Sequence, residues 1–466
     1  MLRVKPAPPA TRPVCGPANA RRGRPSRRSR PRRRTTFAAR PAKRIARRRR
    51  SGRARAPVVP KRRTAIPMLR PYTFALTTLL AVLTALGPLA MDLYLPSFPA
   101  IAATFGTTPS QVQLTISCYM IGFAVGQLFF GPVSDRHGRK PVLSFALVVF
   151  CLGTLACAVA PSIGTLIAAR TLQGAGASGV IVLARAVVRD LYDGTRAARE
   201  MSLMAAIMGI VPILAPLVGG VLEEWLGWRA GFVLILAAGV AAMGVVRRLL
   251  PETVRPSAPG RNLLRESLAS FAVIGRNRAF LANLGIATAS FAGLFAYISG
   301  SPFVMQDVYG LTPTGFGVFY GVTSLGFIGG TLMAAHLVMR IGQERVVALG
   351  AVGLLAGGLG TIVAVAVAPT SLLALAVALT VFLAGFGAAM PQALAGTLQP
   401  FPERAGAASS LVGAVQQSGG AAVGAVVGLA IGRTAWPMVI AIAATGVASF
   451  VIWATTRRVR AGAARR

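Results

Sequence analysis

Twelve apolar stretches, each long enough to cross a lipid bilayer, recur between residues 73 and 455. A helical crossing needs about 20 residues. The predicted spans are 73–96, 112–133, 142–160, 163–187, 203–222 and 229–249 in the first half, and 280–305, 315–339, 346–367, 371–396, 407–430 and 434–455 in the second. The fifth and eleventh are rich in glycine and proline and are the weakest candidates for unbroken helices.

The charged residues are too few to coat a water-facing surface. Of the 466 residues, 13% are charged and 54% are hydrophobic. Half of the 50 lysine and arginine residues lie within the first 70 residues, where no acidic residue occurs. Because the rest of the chain is so poor in charge, most of its surface must face lipid. We therefore predict an all-α polytopic membrane protein and exclude an ordinary soluble enzyme.

Residues 1–67 form an Arg-rich extension with almost no large apolar side chains to bury. Such a composition predicts disorder. A second interpretation is that translation starts at Met68, just ahead of the first span, so that the extension is not part of the protein. Guanidinium groups bind phosphate, but no aromatic residues that could stack on bases are interleaved, so no nucleic-acid partner is expected. A cleaved signal peptide is not expected either.

Basic residues fall on alternate loops between the predicted spans. Short positively charged loops stay on the cytoplasmic side. The basic loops contain Arg70, then Arg136, Arg139 and Lys140, then Arg189, Arg196 and Arg199, then residues 247–278, then Arg340 and Arg345, then Arg404, then residues from 457 onward. The opposite loops hold only Arg229 and Arg433. Both termini are therefore predicted to be cytoplasmic, which agrees with an even number of spans.

An internal repeat relates the two halves. Residues 105–142 align without a gap on residues 309–346, an offset of 204 that pairs Gly122 with Gly326 and Arg136 with Arg340. This offset carries the second span onto the eighth, which predicts two six-helix bundles of the same orientation around a central cavity. The predicted domains are a first bundle at 68–249, a cytoplasmic linker at 250–279, a second bundle at 280–456 and a basic tail at 457–466.

The loop after the second span reads GPVSDRHGRKPV. It resembles the cytoplasmic loop signature of the major facilitator superfamily, and the matching residues are Gly131, Asp135, Arg136, Gly138, Arg139 and Lys140. The resemblance implies the facilitator fold and a conformational latch between the halves. The alternative is that these are only cytoplasmic charges. The equivalent loop of the second half, RIGQER, keeps only Arg340 and Gly342, so a latch there is expected to be weaker.

Arg170 lies about seven residues inside the outer end of the fourth span, or roughly 10 Å deep. Arginine near the centre of a bilayer costs about 2.5 to 3.5 kcal/mol, which predicts that it faces the cavity and has a polar or anionic partner. The alternative is that it snorkels to the outer surface. With Gln173, Gly174 and Gly176 it resembles a fourth-helix motif of the same superfamily that is associated with proton transfer.

Asp92 is the only acidic residue well within an apolar stretch of the first half. A carboxyl group shielded from water can exchange a proton when its surroundings change, so Asp92 is the leading candidate for proton coupling. A change in its distance from Arg170 would link proton release to motion. The alternative is that Asp92 caps or solvates the outer helix end near Pro96.

The fifth span contains Pro212 and Pro216, followed by Gly219 and Gly220. Prolines bend membrane helices and glycines allow close helix approach. The pattern resembles the antiporter motif of the superfamily, although Ala215 stands where the broad motif has glycine. The form APxxGG is similar to the Bcr/CflA drug-resistance group, as are the segments MDLYLPSFPAIAATFG and YISGSPFVMQDVYG. Glycine and proline are also simply common in membrane helices, and this alternative stays open.

Four tyrosines and one glutamine are candidates for a substrate pocket: Tyr94, Tyr119, Tyr297, Tyr320 and Gln416. Amphipathic rings suit drug-like molecules, although many such aromatics lie at membrane interfaces. The four cysteines and two histidines show no metal-binding spacing, and no phosphate-binding loop is present. No metal and no cofactor are expected, since the resemblance implies a proton gradient as the energy source.

The sequence thus predicts a monomeric, proton-coupled transporter of the bacterial inner membrane that exports small drug-like molecules by alternating access. An importer or metabolite exporter on the same fold is the main alternative, because a fold alone fixes neither substrate nor direction. A polytopic membrane enzyme would need a cluster of catalytic groups, which the sequence does not contain. A membrane-tethered nucleic-acid binder would have to act through the Arg-rich extension.

Overall fold

A computed structural model describes residues 73–192, 194–253, 270–401, 404–432 and 434–463. The predictions for the Arg-rich extension, the start at Met68, most of the linker and Arg433 lie outside these residues. The described chain is entirely helical and contains twelve helices long and apolar enough to cross a membrane. The predicted fold class is therefore confirmed.

The first half begins with a span made of two helices, Phe74–Asp92 and Phe98–Phe105, joined by the 3₁₀ turn Leu95–Ser97. Its second to sixth spans are Pro109–His137, Arg139–Ala158, Ile163–Leu191, Gly194–Leu226 and Arg229–Leu249. The second half has its seventh span at Arg278–Phe303, extended by the π-helical turn Val304–Val308. The eighth to twelfth spans are Pro313–Ile341, Gln343–Val367, Leu372–Leu398, Ala405–Ala430 and Trp436–Ala463.

The first span differs from the single helix that the sequence predicted. Its first helix ends at Asp92, and Pro96 and Pro99 stand at the starts of the 3₁₀ turn and of the second helix. Proline has no N–H to continue a helical hydrogen-bond ladder but fits the first turn of a new helix. The break therefore follows from the two prolines, and the segment 98–105 continues the span to Gly106, which has the left-handed φ of +58°.

The fifth and eleventh spans, the weakest candidates in the sequence, are each one continuous helix. Pro212 and Pro216 both lie inside the fifth. Such prolines are tolerated in a membrane bundle because neighbouring helices shield or hydrogen-bond the backbone groups that the prolines leave unpaired. The fifth helix is also longer than predicted, since it starts at Gly194 and not near residue 203.

The two halves pack their helices in the same pattern. In the first half the fourth span packs on the first, second and third spans, and the third packs on the sixth. In the second half the tenth span packs on the seventh, eighth and ninth, and the ninth packs on the twelfth. Gly122 contacts the Thr171 carbonyl oxygen, and its repeat partner Gly326 contacts that of Thr380. The sequence repeat is thus a repeat of helix packing.

The halves meet mainly through two helix pairs, the fifth with the eighth and the second with the eleventh. Hydrogen bonds between the halves lie near the ends of these helices that are remote from the loop at 131–142. Gln113 Nε2 donates to Ser299 Oγ at 2.6 Å, and Gln306 Nε2 donates to the Pro96 carbonyl oxygen at 2.9 Å. We call this region the closed end.

Candidate functional site

Arg170 is the largest fully buried side chain of the described residues. It lies on the fourth span, and its Nη1 donates to the Ala90 carbonyl oxygen at 3.1 Å and to Gln173 Oε1 at 2.5 Å. Gln173 in turn donates to Thr154 Oγ1 on the third span at 2.9 Å. The snorkelling alternative is wrong because the side chain has no exposed surface, and polar partners are present as predicted.

Three aromatic rings surround the Arg170 guanidinium group. Its central carbon lies 4.6 Å from the ring centroid of Tyr94, 4.4 Å from that of Tyr119 and 5.9 Å from that of Phe232. Cation–π contacts of this kind are strongest where water is excluded. Nε and Nη2 have no hydrogen-bond partner among the described residues. The charge is therefore balanced mainly by ring faces and a carbonyl oxygen.

Hydroxyl groups fix two of these rings. The hydroxyls of Tyr94 and Thr115 share a hydrogen bond of 3.0 Å, and the Tyr119 hydroxyl donates to the Gly87 carbonyl oxygen at 3.0 Å. An added Cβ at Gly87 would lie 2.9 Å from Ile181 Cδ1 of the fourth span and in ordinary contact, 3.6 Å, with the Tyr119 hydroxyl. The first, second and fourth spans thus assemble the cage around Arg170 together with Phe232 of the sixth.

Asp92 is the last residue of the first helix and is buried, with 6% of its surface exposed. Within the part of the chain that the structure describes, no ion pair joins Asp92 to Arg170. Asp92 lies within electrostatic range of the Tyr119 hydroxyl of its own half and of the Tyr320 hydroxyl of the other half. Its burial disfavours the alternative of a solvated outer helix end.

Tyr297 and Tyr320 form a stacked pair in the second half, with centroids 5.1 Å apart and planes inclined by 11°. The Tyr297 hydroxyl hydrogen-bonds Thr323 Oγ1 at 2.8 Å. All four candidate tyrosines are buried, so they belong to the packed interior and not to a lipid interface. Because Asp92 is within electrostatic range of Tyr320, these two residues lie where the halves face each other, with Tyr297 stacked on Tyr320.

The glycines of the fifth span bring three spans into backbone contact. An added Cβ at Gly219 would collide with the Leu93 carbonyl oxygen, directly after Asp92, and one at Gly220 with the Pro313 carbonyl oxygen of the eighth span. From the eighth span, Gly317 packs in return on Pro216. The candidate antiporter residues thus join the break in the first span to the opposite half.

The signature loop is anchored within the first half. Arg139 pairs with Asp135 at 2.6 Å and with Asp190, at the end of the fourth span, at 2.8 Å. The backbone N–H groups of Arg139 and Lys140 donate to the Glu252 carboxylate at 2.8 and 3.1 Å. Gly138 has a left-handed φ of +92°, and an added Cβ there would lie 2.7 Å from Glu252 Oε2. The loop thus ties the third, fourth and sixth spans together.

Two other predicted loop residues are Gly131 and Arg136. Gly131 accepts a hydrogen bond from Ser134 Oγ at 2.7 Å through its carbonyl oxygen. Ser134 Oγ in turn accepts from Arg139 Nη1 at 2.5 Å. Arg136 is exposed. Whether the loop latches the two halves stays a prediction.

Sequence reasoning missed several partners. Four of them have no recognisable sequence pattern, because each acts only through a neighbour on another span: Glu252, Asp190, Thr154 and Phe232. Gln113 could have been found, since it is a polar residue in an apolar stretch. It is 1% exposed and joins the second span to Ser299 of the seventh. No group of three or more potential metal ligands occurs among the described residues.

Gln416 is the remaining candidate pocket residue. It lies on the eleventh span, 6% exposed, and its Nε2 has no hydrogen-bond partner among the described residues. It belongs to the half opposite Asp92 and Arg170. The structure therefore distributes the predicted pocket over both halves.

Comparison with known proteins identifies the family. The family model for the Major Facilitator Superfamily matches residues 80–425. The chain is 31% identical over 357 residues to an uncharacterized MFS-type transporter, YdgK, of Bacillus subtilis, covering 76% of this chain and 89% of the relative. It is 29% identical over 381 residues to a bicyclomycin resistance protein homolog of Haemophilus influenzae, covering 82% and 96%.

A third relative and a solved structure extend the comparison. The multidrug resistance protein MdtL of Salmonella paratyphi B is 32% identical over 339 residues, covering 72% of this chain and 84% of the relative. A bacterial homolog of the human lysosomal transporter Spinster, solved inward-facing and unoccupied, superposes with a TM-score of 0.64 at 18% identity, covering 85% and 98%. The chain is a membrane transporter, not an enzyme, and it belongs to the Major Facilitator Superfamily.

Proposed function

We propose that this protein is a proton-coupled transporter that exports small drug-like molecules by alternating access. The observation that carries the proposal is Asp92, a buried acid at the break of the first span. It has no ion-pair partner in the described chain, and it lies within electrostatic range of Tyr119 of its own half and Tyr320 of the other half. An acid in that place can bind a proton or a cationic cargo, but binding one weakens binding of the other. The relatives named for bicyclomycin and multidrug resistance support a Bcr/CflA-type activity.

Several features complete the proposal. The protein resides in the bacterial inner membrane as a monomer with both termini in the cytoplasm, and it uses the proton gradient without a cofactor. Arg170 holds the first, fourth and sixth spans around the proton site. The loop at 131–142 serves as the conformational latch, and unchanged transport by an Asp135→Asn variant would contradict that role.

Liposomes reconstituted with the purified protein provide the test. We expect bicyclomycin to move across the membrane in exchange for protons, and the initial rate to fall at least tenfold when the pH difference is collapsed. Asp92→Asn should lose this dependence while still exchanging external for internal bicyclomycin at equal pH. Glu200→Gln is the matched control, because Glu200 is a carboxylate of the same half that accepts a hydrogen bond from Thr77, remote from the site.

Two results would decide against the proposal. Equal rates with and without a pH difference in the wild type would remove proton coupling. Accumulation toward the side that corresponds to the cytoplasm would favour the alternative, an importer of the same fold. The sidedness is read from proteolysis of the loop at 131–142 in the same liposomes.

A further inference from the structure

The eleventh span contains a buried amide whose nitrogen has no hydrogen-bond partner in the described chain. Gln416 has 6% of its surface exposed, and its Nε2 lacks a hydrogen-bond acceptor. A buried donor without an acceptor costs free energy comparable to a lost hydrogen bond. An unpaired buried amide therefore points to a hydrogen-bond partner from outside the described chain, such as a bound molecule.

The helix geometry shows where Gln416 is directed. One turn before it, Gly413 faces the second span, since an added Cβ would lie 2.5 Å from Gln127 Oε1. One turn after it, Gly419 faces the seventh span, where an added Cβ would lie 2.8 Å from Thr288 Cγ2. Each step of three residues turns an α-helix by about 300°. Gln416 therefore points between these two directions, into the groove between the second and seventh spans.

The residues that line this groove also have buried polar atoms without hydrogen-bond partners. Gln127 Oε1 and Thr288 Oγ1 are both buried and have no hydrogen-bond partner among the described residues. The three groups offer an amide donor, an amide acceptor and a hydroxyl that can do either. None carries a charge. Gly420, one residue beyond Gly419, packs against the rings of Phe291 and Phe295, which adds an apolar surface beside the polar groups.

We propose that Gln416, Gln127 and Thr288 form a substrate subsite for an uncharged hydrogen-bonding group, such as a hydroxyl, carbonyl or amide, with Phe291 and Phe295 beside it. The subsite rests on the proposed function, because its ligand is the exported molecule. Gln416 and Thr288 belong to the half opposite Asp92, whereas Gln127 belongs to the same half as Asp92. A cargo would thus be held by neutral hydrogen bonds from both halves, while Asp92 exchanges the proton.

Binding of two chemically different probes to the purified protein tests the assignment. Chloramphenicol is uncharged and carries hydroxyl and amide groups, whereas tetraphenylphosphonium is a cation without hydrogen-bonding groups. Gln416→Leu should weaken chloramphenicol binding about five- to tenfold, the effect of losing one or two neutral hydrogen bonds. Tetraphenylphosphonium binding should change less than twofold. Gln416→Asn, which keeps the amide, should restore part of the chloramphenicol affinity.

Gln417→Leu is the matched control. It makes the same substitution at the next residue, about 100° around the helix, where no buried polar atom is left unpaired. We expect both of its affinities to equal those of the wild type.

The outcomes separate the subsite from a structural role and from the proposed function. Equal weakening of both probes by Gln416→Leu, no weakening of either, or failure of the wild type to bind chloramphenicol would overturn the subsite. Binding is measured at equal pH without transport, so selective weakening supports the subsite even if transport in liposomes proves independent of the proton gradient. That second result would contradict only the proposed function.

Discussion

At the scale of single residues, Arg170 shows how a positive charge is kept inside an apolar bundle without a carboxylate. Desolvating a guanidinium group is costly. Here the cost is offset by two tyrosine faces, a carbonyl oxygen and Gln173. The consequence concerns Asp92: because Arg170 is stabilised without it, the acid is not tied up in an ion pair and stays available for a proton.

Substitutions of Tyr119 test whether its ring stabilises the buried Arg170 charge. Tyr119→Phe keeps the ring face but loses the hydrogen bond to Gly87, and should lower stability by about 1 kcal/mol. Tyr119→Leu removes the cation–π contact as well and leaves a cavity, and should lower stability by at least about 2 kcal/mol more. Melting temperatures of the detergent-solubilised protein should therefore fall in the order wild type, Phe, Leu. Equal melting temperatures for the two variants would show that the ring face contributes nothing.

The sequence predicted the depth and the burial of Arg170 but not its surroundings. Depth follows from counting residues within one helix, and burial follows from the cost of a charge in lipid. The cage needs Tyr94, Tyr119 and Phe232 from three different elements, and their convergence is set by helix packing. The surroundings of Asp92 are likewise set by helix packing, because a pattern within one helix cannot give its distance from Arg170.

At the scale of helices, close backbone contact at the closed end is made by small residues. Gly220 of the fifth span meets Pro313, and Gly317 of the eighth meets Pro216, so each helix offers a glycine to the other. Glu224 adds a carboxylate that accepts from the N–H of Thr314 at 3.0 Å, at the N-terminus of the eighth span. Carboxylates are stabilising at such helix ends. The fifth and eighth spans therefore fit together only where side chains are absent.

Gly317→Ala should loosen this contact. The added Cβ would lie 2.5 Å from the Pro216 carbonyl oxygen, so the helices must separate. A cysteine pair at positions 224 and 314, in a background without native cysteines, should cross-link at least threefold less in this variant. Gly329→Ala is the control on the same helix, because nothing lies within 4 Å of its added Cβ. Cross-linking unchanged by Gly317→Ala, or reduced equally by both variants, would contradict the contact's role.

The predicted spans match the helices well, and the misses have a common cause. Long apolar runs specify that a helix crosses the membrane, so all twelve were found. Where helices break depends on local backbone chemistry: Pro96 and Pro99 interrupt the first span, whereas Pro212 and Pro216 do not interrupt the fifth. Pro216 lies against Gly317 of the eighth span, and a sequence pattern does not record such contacts between spans.

At the scale of the molecule, the repeat explains why the largest contacts between the halves are two equivalent helix pairs. Each half packs its own helices in the same way, so equivalent surfaces remain for the partner: the fifth and second spans in one half correspond to the eleventh and eighth in the other. Hydrogen bonds between the halves cluster at the closed end. Two rigid bundles joined in this way can rock about their interface, opening one end as the other closes.

Distances between paired spin labels test the rocking motion. Labels at His137 and Arg340 report the separation of the halves at the signature-loop end, and labels at Thr104 and Val308 report it at the closed end. All four side chains are exposed. Asp92→Asn, which imitates the protonated acid, should shift the two distance distributions in opposite directions. Labels at His137 and Arg247, both within the first half, should not move. Parallel shifts of the first two pairs, or a shift within the first half, would mean that the bundles deform and do not rock as rigid bodies.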